Sequence, residues 1–252
     1  MTKIIILGSS NAVATEGHDN THMLIVGSSQ AVMVDCVSSP LLRLKRAGVD
    51  FRKVTDLILT HFHPDHVSGA PLFLMDMWLL GRKAPLTIHG LDYTLDRLDT
   101  LMGLYGWRAW PNFFPVTLNR VPAHELAPIG EFDGYRVLSS PVHHLIPTIG
   151  LRIESDGAGK IVAYSCDTEP CDEVVRLADG AEILIHEAAG EGKGHSSARQ
   201  AGVIAARAEV RKLLLIHYPT WDSPVNEQVI EAQSGFQGEV ALAEDFMEIA
   251  MN

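Results

Sequence analysis

The stretch DLILTHFHPDH, residues 56–66, carries the strongest structural information in this sequence. An apolar run leads into His61, and His63 follows two positions later, so both imidazoles can reach one ion from an extended segment. A proline then stiffens the chain, and Asp65 and His66 follow at the turn, where they can serve a second ion. Imidazole and carboxylate donors without thiolate suit Zn²⁺, with Mn²⁺ or Fe as substitutes. The segment therefore predicts a site for two divalent ions.

Apolar runs elsewhere in the chain also end in residue types that bind metals. Strands that lie side by side bring their ends to one edge of a sheet, where polar side chains and flexible loops build sites. We expect His144 to complete the first site, Asp167 to bridge the two ions and His217 to complete the second site. His143 is the alternative to His144, and ordinary capping of strands is the alternative for the whole set. The residues at these ends are His143, His144, Asp167, His186, Glu187 and His217.

Short apolar runs alternate with Gly- and Pro-rich turns along the chain, which predicts helices packed outside a pair of sheets. Asp172 and Glu173 favour the N-terminus of one helix, and Ser196 is expected to cap another. The predicted strands are Lys3–Leu7, Met23–Val26, Ala31–Asp35, Val54–Leu59, Leu86–His89, Tyr135–Ser139, Leu151–Glu154, Ile161–Ser165, Ile183–His186 and Lys212–His217. The predicted helices are Pro40–Ala47, Val67–Leu80, Leu91–Leu104, Cys171–Ala178, Ser196–Ala208 and Asn226–Gly235.

Two apolar segments of the first half are open to interpretation. Leu72, Met75 and Leu79 recur at helical spacing, which predicts a buried helix face. Aromatic residues concentrate between positions 105 and 114. This concentration is typical of a substrate-pocket lining, of a dimer contact or of a loop packed onto the core. These aromatic residues are Tyr105, Trp107, Trp110, Phe113 and Phe114.

The composition of the 252 residues is that of a globular protein. The net charge of −11 disfavours broad binding to nucleic acids, although bound divalent cations can reverse the sign of the field locally. No apolar run is long enough to cross a bilayer, so we expect no membrane partner. Three cysteines without a CxxC spacing favour reduced thiols and a cytoplasmic location over a disulfide framework.

HFHPDH, with the later His, Asp and His, resembles the HxHxDH ligand motif of the metallo-β-lactamase superfamily, and the wider sequence resembles its ribonuclease Z group. That group has a ligand His six residues before a Gly-aromatic-Arg, and here His144 stands six residues before Gly150. It also has Ser-Gly-Asp-Thr, His-Glu-Ala and Gly-His-Ser segments, which correspond to residues 165–168, 186–188 and 194–196. The resemblance therefore covers nearly the whole chain.

This resemblance implies a fold, a cofactor and a set of ligands. The fold is of the α/β (α+β) class, with one metallo-β-lactamase-type domain over residues 1–252. It is a four-layer αββα sandwich, with two sheets face to face, helices outside and the site at the sheet edge. The implied cofactors are two Zn²⁺ ions, with Mn²⁺ or Fe possible. The ligands are His61, His63, Asp65, His66, His144, Asp167 and His217.

The expected mechanism uses a hydroxide shared by two ions about 3.5–4 Å apart, which attacks phosphorus or a carbonyl carbon. Asp65 is expected to bind a metal and to orient this nucleophile. The leaving oxygen needs a proton, and His195 in the loop GEGKGHSS is the candidate general acid, with Glu187 as its partner. This pair resembles the Glu–His pair of ribonuclease Z. The alternative for His195 is a neighbour of a helix N-cap.

Asp35, at the end of a predicted strand, is expected to orient a ligand imidazole or the 61–66 loop. A plain helix or turn cap is the alternative for this residue.

The chain departs from the tRNA-processing members of the group where they carry a long protruding arm. Only Ile153–Tyr164 fills that interval, which is enough for a tight hairpin, and Val37–Ser39 replace the Gly-Glu of the group. With the acidic charge, these departures count against tRNA as the substrate. We therefore expect a small-molecule or phosphodiester substrate, and the resemblance leaves a homodimer open.

The leading function is a binuclear zinc-dependent, phosphodiesterase-like hydrolase. Carbonyl hydrolysis at the same site, as a lactonase or thioesterase, is the main alternative. An iron redox protein is disfavoured because residue 63 is His and not Glu. A binding protein without activity is disfavoured because all seven candidate ligands are present.

Overall fold

Two β-sheets form the centre of the fold in this computed structural model, which describes residues 2–157, 159–221 and 225–251. Over these residues each sheet has seven strands. The first sheet has the order β14-β1-β2-β3-β4-β5-β6, and its strands are β1 (Lys3–Gly8), β2 (His22–Val26), β3 (Ala31–Val34), β4 (Val54–Ile58), β5 (Leu86–Gly90), β6 (Val116–Arg120) and β14 (Glu248–Ala250). The second has the order β13-β12-β11-β10-β9-β8-β7, and its strands are β7 (Ala127–Phe132), β8 (Tyr135–Val142), β9 (Thr148–Ser155), β10 (Ile161–Tyr164), β11 (Ile183–Glu187), β12 (Lys212–Ile216) and β13 (Glu239–Leu242).

The alternation of side chains along β1 shows how the layers form. Ile4 and Ile6 point into the core between the two sheets, where they join Ile153 of the second sheet. Ile5 and Leu7 point to the opposite face and pack under helices. Because successive side chains of a strand point to opposite faces, a strand covered on both sides is apolar throughout. The continuous apolar run of β1 is explained by this double burial.

Helices cover the outer face of each sheet, so the predicted four-layer αββα arrangement is confirmed. Phe73 and Leu95 pack against the first sheet, and Val174 and Ala201 pack against the second. The helices are α1 (Pro40–Arg46), α2 (Pro64–Val67), α3 (Ala70–Leu79), α4 (Asp92–Leu104), α5 (Asp172–Leu177), α6 (Ala198–Arg207) and α7 (Val225–Gln233), with short 3₁₀ turns at Phe51–Lys53 and Trp107–Ala109. No helix in the described ranges is long and apolar enough to cross a membrane.

Parallel pairing brings several strand ends to the same edge. β3 and β4 are parallel neighbours in the first sheet, and β10, β11 and β12 are parallel neighbours in the second. Because parallel neighbours end at the same side of a sheet, the residues that follow these strands lie close together. The segment after β9 is a hairpin, since Ile161 of β10 pairs antiparallel with Glu154. This agrees with the tight hairpin predicted between Ile153 and Tyr164.

Two predictions about the helices are corrected by the structure. The predicted helix Val67–Leu80 is two helices, α2 and α3, which are separated by Ser68 and Gly69. A Cβ on Gly69 would lie 2.6 Å from the carbonyl carbon of Val37, so this close backbone approach requires glycine and interrupts the helix. The N-cap of α6 is Ser197, whose hydroxyl accepts from Gln200 N within a capping box. Ser196, the predicted cap, is buried and donates to Thr168 O instead.

The predicted buried face of Leu72, Met75 and Leu79 is also wrong. Leu79 is 65% exposed and Leu72 is 38% exposed, whereas the buried face of α3 consists of Ala70, Phe73, Leu74 and Met77. The helix is apolar on nearly all sides, so the spacing alone fits more than one face. Over the described residues the missed strands, β6, β7, β13 and β14, are the four outermost strands of the sheets. Most of their exposed positions are polar, which weakens the apolar signal of a strand.

Candidate metal centre

Three imidazole nitrogens converge where β4 and β8 end. His63 Nδ1 lies 3.1 Å from His61 Nε2 and 3.0 Å from His144 Nε2. A single proton cannot serve both of these contacts with good geometry, whereas a cation at the centre of the three nitrogens can be bound by all of them. We call His61, His63 and His144 the first cluster. His143 stays outside it, because its side chain is 62% exposed and faces Glu173.

A second group of donors lies beside the first. Asp65 Oδ2 is 3.6 Å from His66 Nε2 and 3.9 Å from His217 Nε2. Asp167 Oδ2 is 3.5 Å from His66 Nε2 and 3.3 Å from His217 Nε2. We call Asp65, His66, Asp167 and His217 the second cluster. In a tetrahedral zinc site neighbouring donor atoms are roughly 3.3–3.7 Å apart, so three of these separations suit one ion and the Asp65–His217 separation is slightly longer.

Asp167 also faces the first cluster. Its Oδ2 lies 3.9 Å from His61 Nε2 and 4.0 Å from His144 Nε2. Its Oδ1 and the Nε2 of His66 are buried without a hydrogen-bond partner among the described residues. A buried polar atom that lacks a partner is costly, and a bound cation removes that cost. The donor set therefore has the chemistry of a metal-binding site, and Asp167 lies between the two clusters.

Burial and charge prepare these side chains for cation binding. Burial lowers the pKa of His217 to about 4 and holds the pKa of His61 well below its usual value, so both imidazoles are neutral at pH 7. Burial alone would raise the pKa of Asp167, but the imidazoles of His217 and His66 outweigh it and hold this pKa well below its usual value. Neutral imidazoles and an ionised carboxylate are the forms that coordinate metals.

His195 and Glu187 lie at the edge of both clusters. His195 Nδ1 is 3.0 Å from Glu187 Oε1, and its ring centroid is 4.9 Å from that of His144 and 5.9 Å from that of His217. The hydrogen bond that His195 donates to Glu187 raises the pKa of His195, and burial raises the pKa of Glu187 to about 7. Ser196 N also donates to Glu187 Oε1, which fixes the carboxylate in place. The imidazole therefore keeps its Nε2 free to face a substrate.

Comparison with known proteins places this arrangement in a family. A family model described as anti-Pycsar protein Apyc1 matches residues 2–240. The chain belongs to the Apyc1 family. This Apyc1-family chain is 28% identical to ribonuclease Z of Methanothermobacter thermautotrophicus, over 87% of each protein.

Two solved structures have the same fold as this Apyc1-family chain. The metallo-beta-lactamase fold protein YhfI from Bacillus subtilis superposes with a TM-score of 0.84 and 22% identity, covering 98% of each chain. The short form of human tRNase Z superposes with a TM-score of 0.79 and 21% identity, covering 99% of each chain. The predicted metallo-β-lactamase fold, the likeness to ribonuclease Z and the prediction of a metal-dependent hydrolase are confirmed.

Asp35 contacts His66 and the residue before His61 in this Apyc1-family chain. Its Oδ2 lies 2.7 Å from His66 Nδ1, and its Oδ1 accepts a hydrogen bond from Thr60 N at 2.8 Å. The carboxylate thus contacts a ligand imidazole of the second cluster and the start of the 61–66 loop. Both contacts are those expected of a residue that orients a ligand, and neither is a helix cap.

Asp35→Asn is expected to weaken metal binding at the second cluster by about 10- to 100-fold, because the amide is a poorer partner for the His66 Nδ1–H and leaves the ring less firmly oriented. Competition titration against a chelator of known affinity measures this change. Asp56→Asn is the matched control, since Asp56 Oδ1 pairs with His89 Nε2 at 2.8 Å outside both clusters. Equal losses in the two variants would contradict a specific role for Asp35.

Three contacts that orient ligand imidazoles carry no signal in the sequence. His144 Nδ1–H donates to the carbonyl of Gly194 at 2.6 Å, and His217 Nδ1 lies 3.2 Å from Thr21 Oγ1. His61 Nδ1 lies 3.1 Å from Thr60 Oγ1. A threonine or a backbone carbonyl is too common to identify from one sequence, and these partners become recognisable once the fold brings them together.

Three residues at or beside the metal centre have strained backbone conformations. Asp35, Cys166 and His217 have φ angles of +58°, +53° and +54°, in the left-handed region that non-glycine residues rarely adopt. Each residue of this kind costs on the order of 1 kcal/mol or more, and surrounding structure must hold it in place. Cys166 stands where the ribonuclease Z group has glycine, so this chain keeps the backbone conformation without the residue that favours it.

Proposed function

We propose that this chain is a phosphodiesterase-like hydrolase that works with two Zn²⁺ ions. His61, His63 and His144 hold one ion, and Asp65, His66 and His217 hold the other. The observation that carries the proposal is the position of Asp167, whose Oδ2 lies within 3.3–4.0 Å of an imidazole nitrogen from four different ligands. When bound, two such ions supply an activated water at neutral pH and withdraw charge from a phosphoryl group.

Protein side chains then complete the reaction. Asp65, at the edge of the second cluster, orients the attacking water by accepting its hydrogen bond. His195 donates the Nε2 proton to the leaving oxygen, while Glu187 holds the Nδ1–H at 3.0 Å and stabilises the protonated ring. An alkoxide is a poor leaving group, so protonation at this position matters most for phosphodiesters of aliphatic alcohols.

The proposed substrate is a phosphodiester of limited size. Relatives of this chain are named ribonuclease Z, which makes nucleic-acid-type phosphodiesters the first class to assay. The hairpin between β9 and β10 leaves no room for an extended substrate-binding arm there, and the net charge of −11 opposes a large polyanion. A short oligonucleotide or a dinucleotide fits these constraints better than tRNA does.

Metal analysis and a substrate screen on the same preparation test the proposal. We expect two zinc ions per chain and turnover of bis-p-nitrophenyl phosphate and dinucleotides, with both lost after chelation and restored by zinc. Lactones and thioesters are the comparison substrates, because carbonyl hydrolysis is the alternative on this site. Faster turnover of a lactone or thioester than of every phosphodiester would overturn the proposal, and so would one metal ion per chain at full activity.

We further propose that two copies associate through an apolar helix face. Large side chains are exposed together on α1, α3 and α4, and two grooves on this face share Leu72 as a lining residue. A contiguous exposed patch of this kind is uncommon on monomers, and a two-fold axis would bury the same patch on both copies. The exposed residues of this apolar helix face are Leu42, Leu72, Leu79, Leu80, Leu104 and Tyr105.

A double substitution, Leu79→Glu with Leu80→Glu, is expected to convert the dimer to a monomer in sedimentation velocity, because charges would be buried without partners at the contact. Ile230→Glu is the matched control, since Ile230 is equally exposed on α7, away from this face. The control should sediment as the unsubstituted protein does. A monomeric unsubstituted protein, or a double variant that still sediments as a dimer, would contradict the proposal.

A further inference from the structure

We propose that the chain has a third metal site, outside the metal centre, in which His143, Cys171 and Glu173 bind a zinc-type ion. The donor atoms of these three residues lie within 4.8 Å of one another. They belong to the segment after β8 and to the start of α5. None of them is a ligand in the proposed hydrolase, so the third site can be tested separately from that function.

The geometry of the third site is close to that of a bound ion. His143 Nε2 lies 3.4 Å from Glu173 Oε2, which is the separation expected for two donors on one tetrahedral zinc. The Cys171 sulfur lies within 4.8 Å of both of these donor atoms. A tetrahedral ion bound by these three donors has a fourth position for water. His143 is mostly exposed, so the site is open to solvent. An ion can therefore enter from the surface.

The donor chemistry selects for a soft divalent ion. Thiolate, imidazole and carboxylate together are a zinc donor set, whereas Mg²⁺ and Ca²⁺ prefer oxygen ligands alone. Glu173 Oε1 accepts from Arg176 Nη2 at 3.0 Å, which leaves Oε2 available to the ion. Burial raises the pKa of the Cys171 thiol, so an ion has to displace the thiol proton. Binding at the third site should therefore strengthen as the pH rises.

The third site is linked to the first cluster through the backbone and a series of hydrogen bonds. His143 directly precedes His144, and its carbonyl accepts a hydrogen bond from Glu169 N at 2.7 Å. Glu169 Oε1 in turn accepts from Gly194 N at 2.7 Å, and the Gly194 carbonyl accepts from His144 Nδ1. An ion on His143 would thus hold the segment that presents His144 and the loop before His195.

Cobalt titration of protein that carries only two equivalents of zinc, which leaves the third site open, tests this inference. Co²⁺ bound to a thiolate gives a charge-transfer band in the near ultraviolet, whereas the seven ligands of the metal centre contain no thiolate. We expect one additional equivalent of Co²⁺ to bind with such a band. The band should disappear in Cys171→Ser, and His143→Asn should weaken the binding of that equivalent by about tenfold or more.

Two matched controls establish whether the band comes from the third site. Cys166→Ser removes the buried thiol nearest the metal centre, and His124→Asn removes another exposed imidazole. Both should keep the band and the additional equivalent. A band that persists in Cys171→Ser, or a titration that ends without an additional equivalent in the unsubstituted protein, would overturn the third site. His143→Asn keeps the test valid if Cys171→Ser fails to fold, because His143 is at the surface.

Discussion

Replacing Asp167 by Asn is expected to lower kcat/KM for a phosphodiester by about 10³-fold or more, which corresponds to about 4 kcal/mol of transition-state stabilisation. The buried carboxylate belongs to the second cluster, and its Oδ2 also lies 3.9 Å from His61 Nε2 and 4.0 Å from His144 Nε2 of the first. A neutral amide cannot offset the charge of two cations, and its NH₂ group repels one of them. Metal content should fall below two ions per chain in the same preparation.

The control for Asp167→Asn is Asp172→Asn, which removes a surface carboxylate that pairs with Arg207 at 2.7 Å. This variant should keep both ions and full activity, because a surface ion pair contributes little to stability. Circular dichroism of the two variants separates loss of the metal centre from loss of the fold. An Asp167→Asn protein that retains two ions and most of its activity would remove the bridging role from Asp167.

His195→Ala is expected to have an effect that depends on the leaving group. With a dinucleotide, whose leaving alkoxide needs a proton, kcat should fall by about 10²- to 10⁴-fold. With bis-p-nitrophenyl phosphate the fall should be much smaller, because p-nitrophenolate is stable without protonation. Measuring kcat for both substrates in one preparation with full metal content gives the ratio. Equal losses for the two substrates would exclude His195 as the general acid.

The pH dependence provides a second check on the same pair. The hydrogen bond with Glu187 raises the pKa of His195, so protonated His195 persists to higher pH. Activity toward the dinucleotide should therefore fall as the pH rises through the pKa of His195. Glu187→Gln removes the charge, and the falling limb should then move to lower pH. His124→Ala, at an exposed histidine outside the metal centre, should leave the profile unchanged. If the falling limb of the pH profile stays at the same pH in Glu187→Gln, the proposed pairing of Glu187 with His195 would be contradicted.

The positions of four candidate ligands can be anticipated from sequence because His61, His144, Asp167 and His217 come at the ends of apolar runs. The ends of parallel strands meet in space, and that geometric rule needs no knowledge of loops. The choice between His143 and His144 is harder, since consecutive residues of an extended segment point to opposite sides. Periodicity cannot decide which of the two side chains joins the cluster, and in the structure it is His144 that contacts His63.

Other features depend on packing that the sequence does not encode locally. The face of α3 that is buried is decided by the sheet beneath it, because Leu74 and Leu79 are equally apolar and only Leu74 meets the core. The positive φ of His217 follows from its position between two layers, where its N–H donates to Ser9 O at 2.9 Å. Contacts of this kind join residues far apart in the chain, so single-sequence patterns miss them.

The two sheets contribute different candidate ligands to the metal centre. The 61–66 segment leaves the first sheet, whereas His144, Asp167 and His217 leave the second. With ions bound, the N-terminal and C-terminal halves of the chain would therefore be held together by shared metal coordination. Metal uptake and cohesion of the halves become thermodynamically linked, so every tenfold excess of free zinc over its dissociation constant adds about 1.4 kcal/mol per ion to the free energy of unfolding. A strong chelator should then lower the melting temperature as well as the activity.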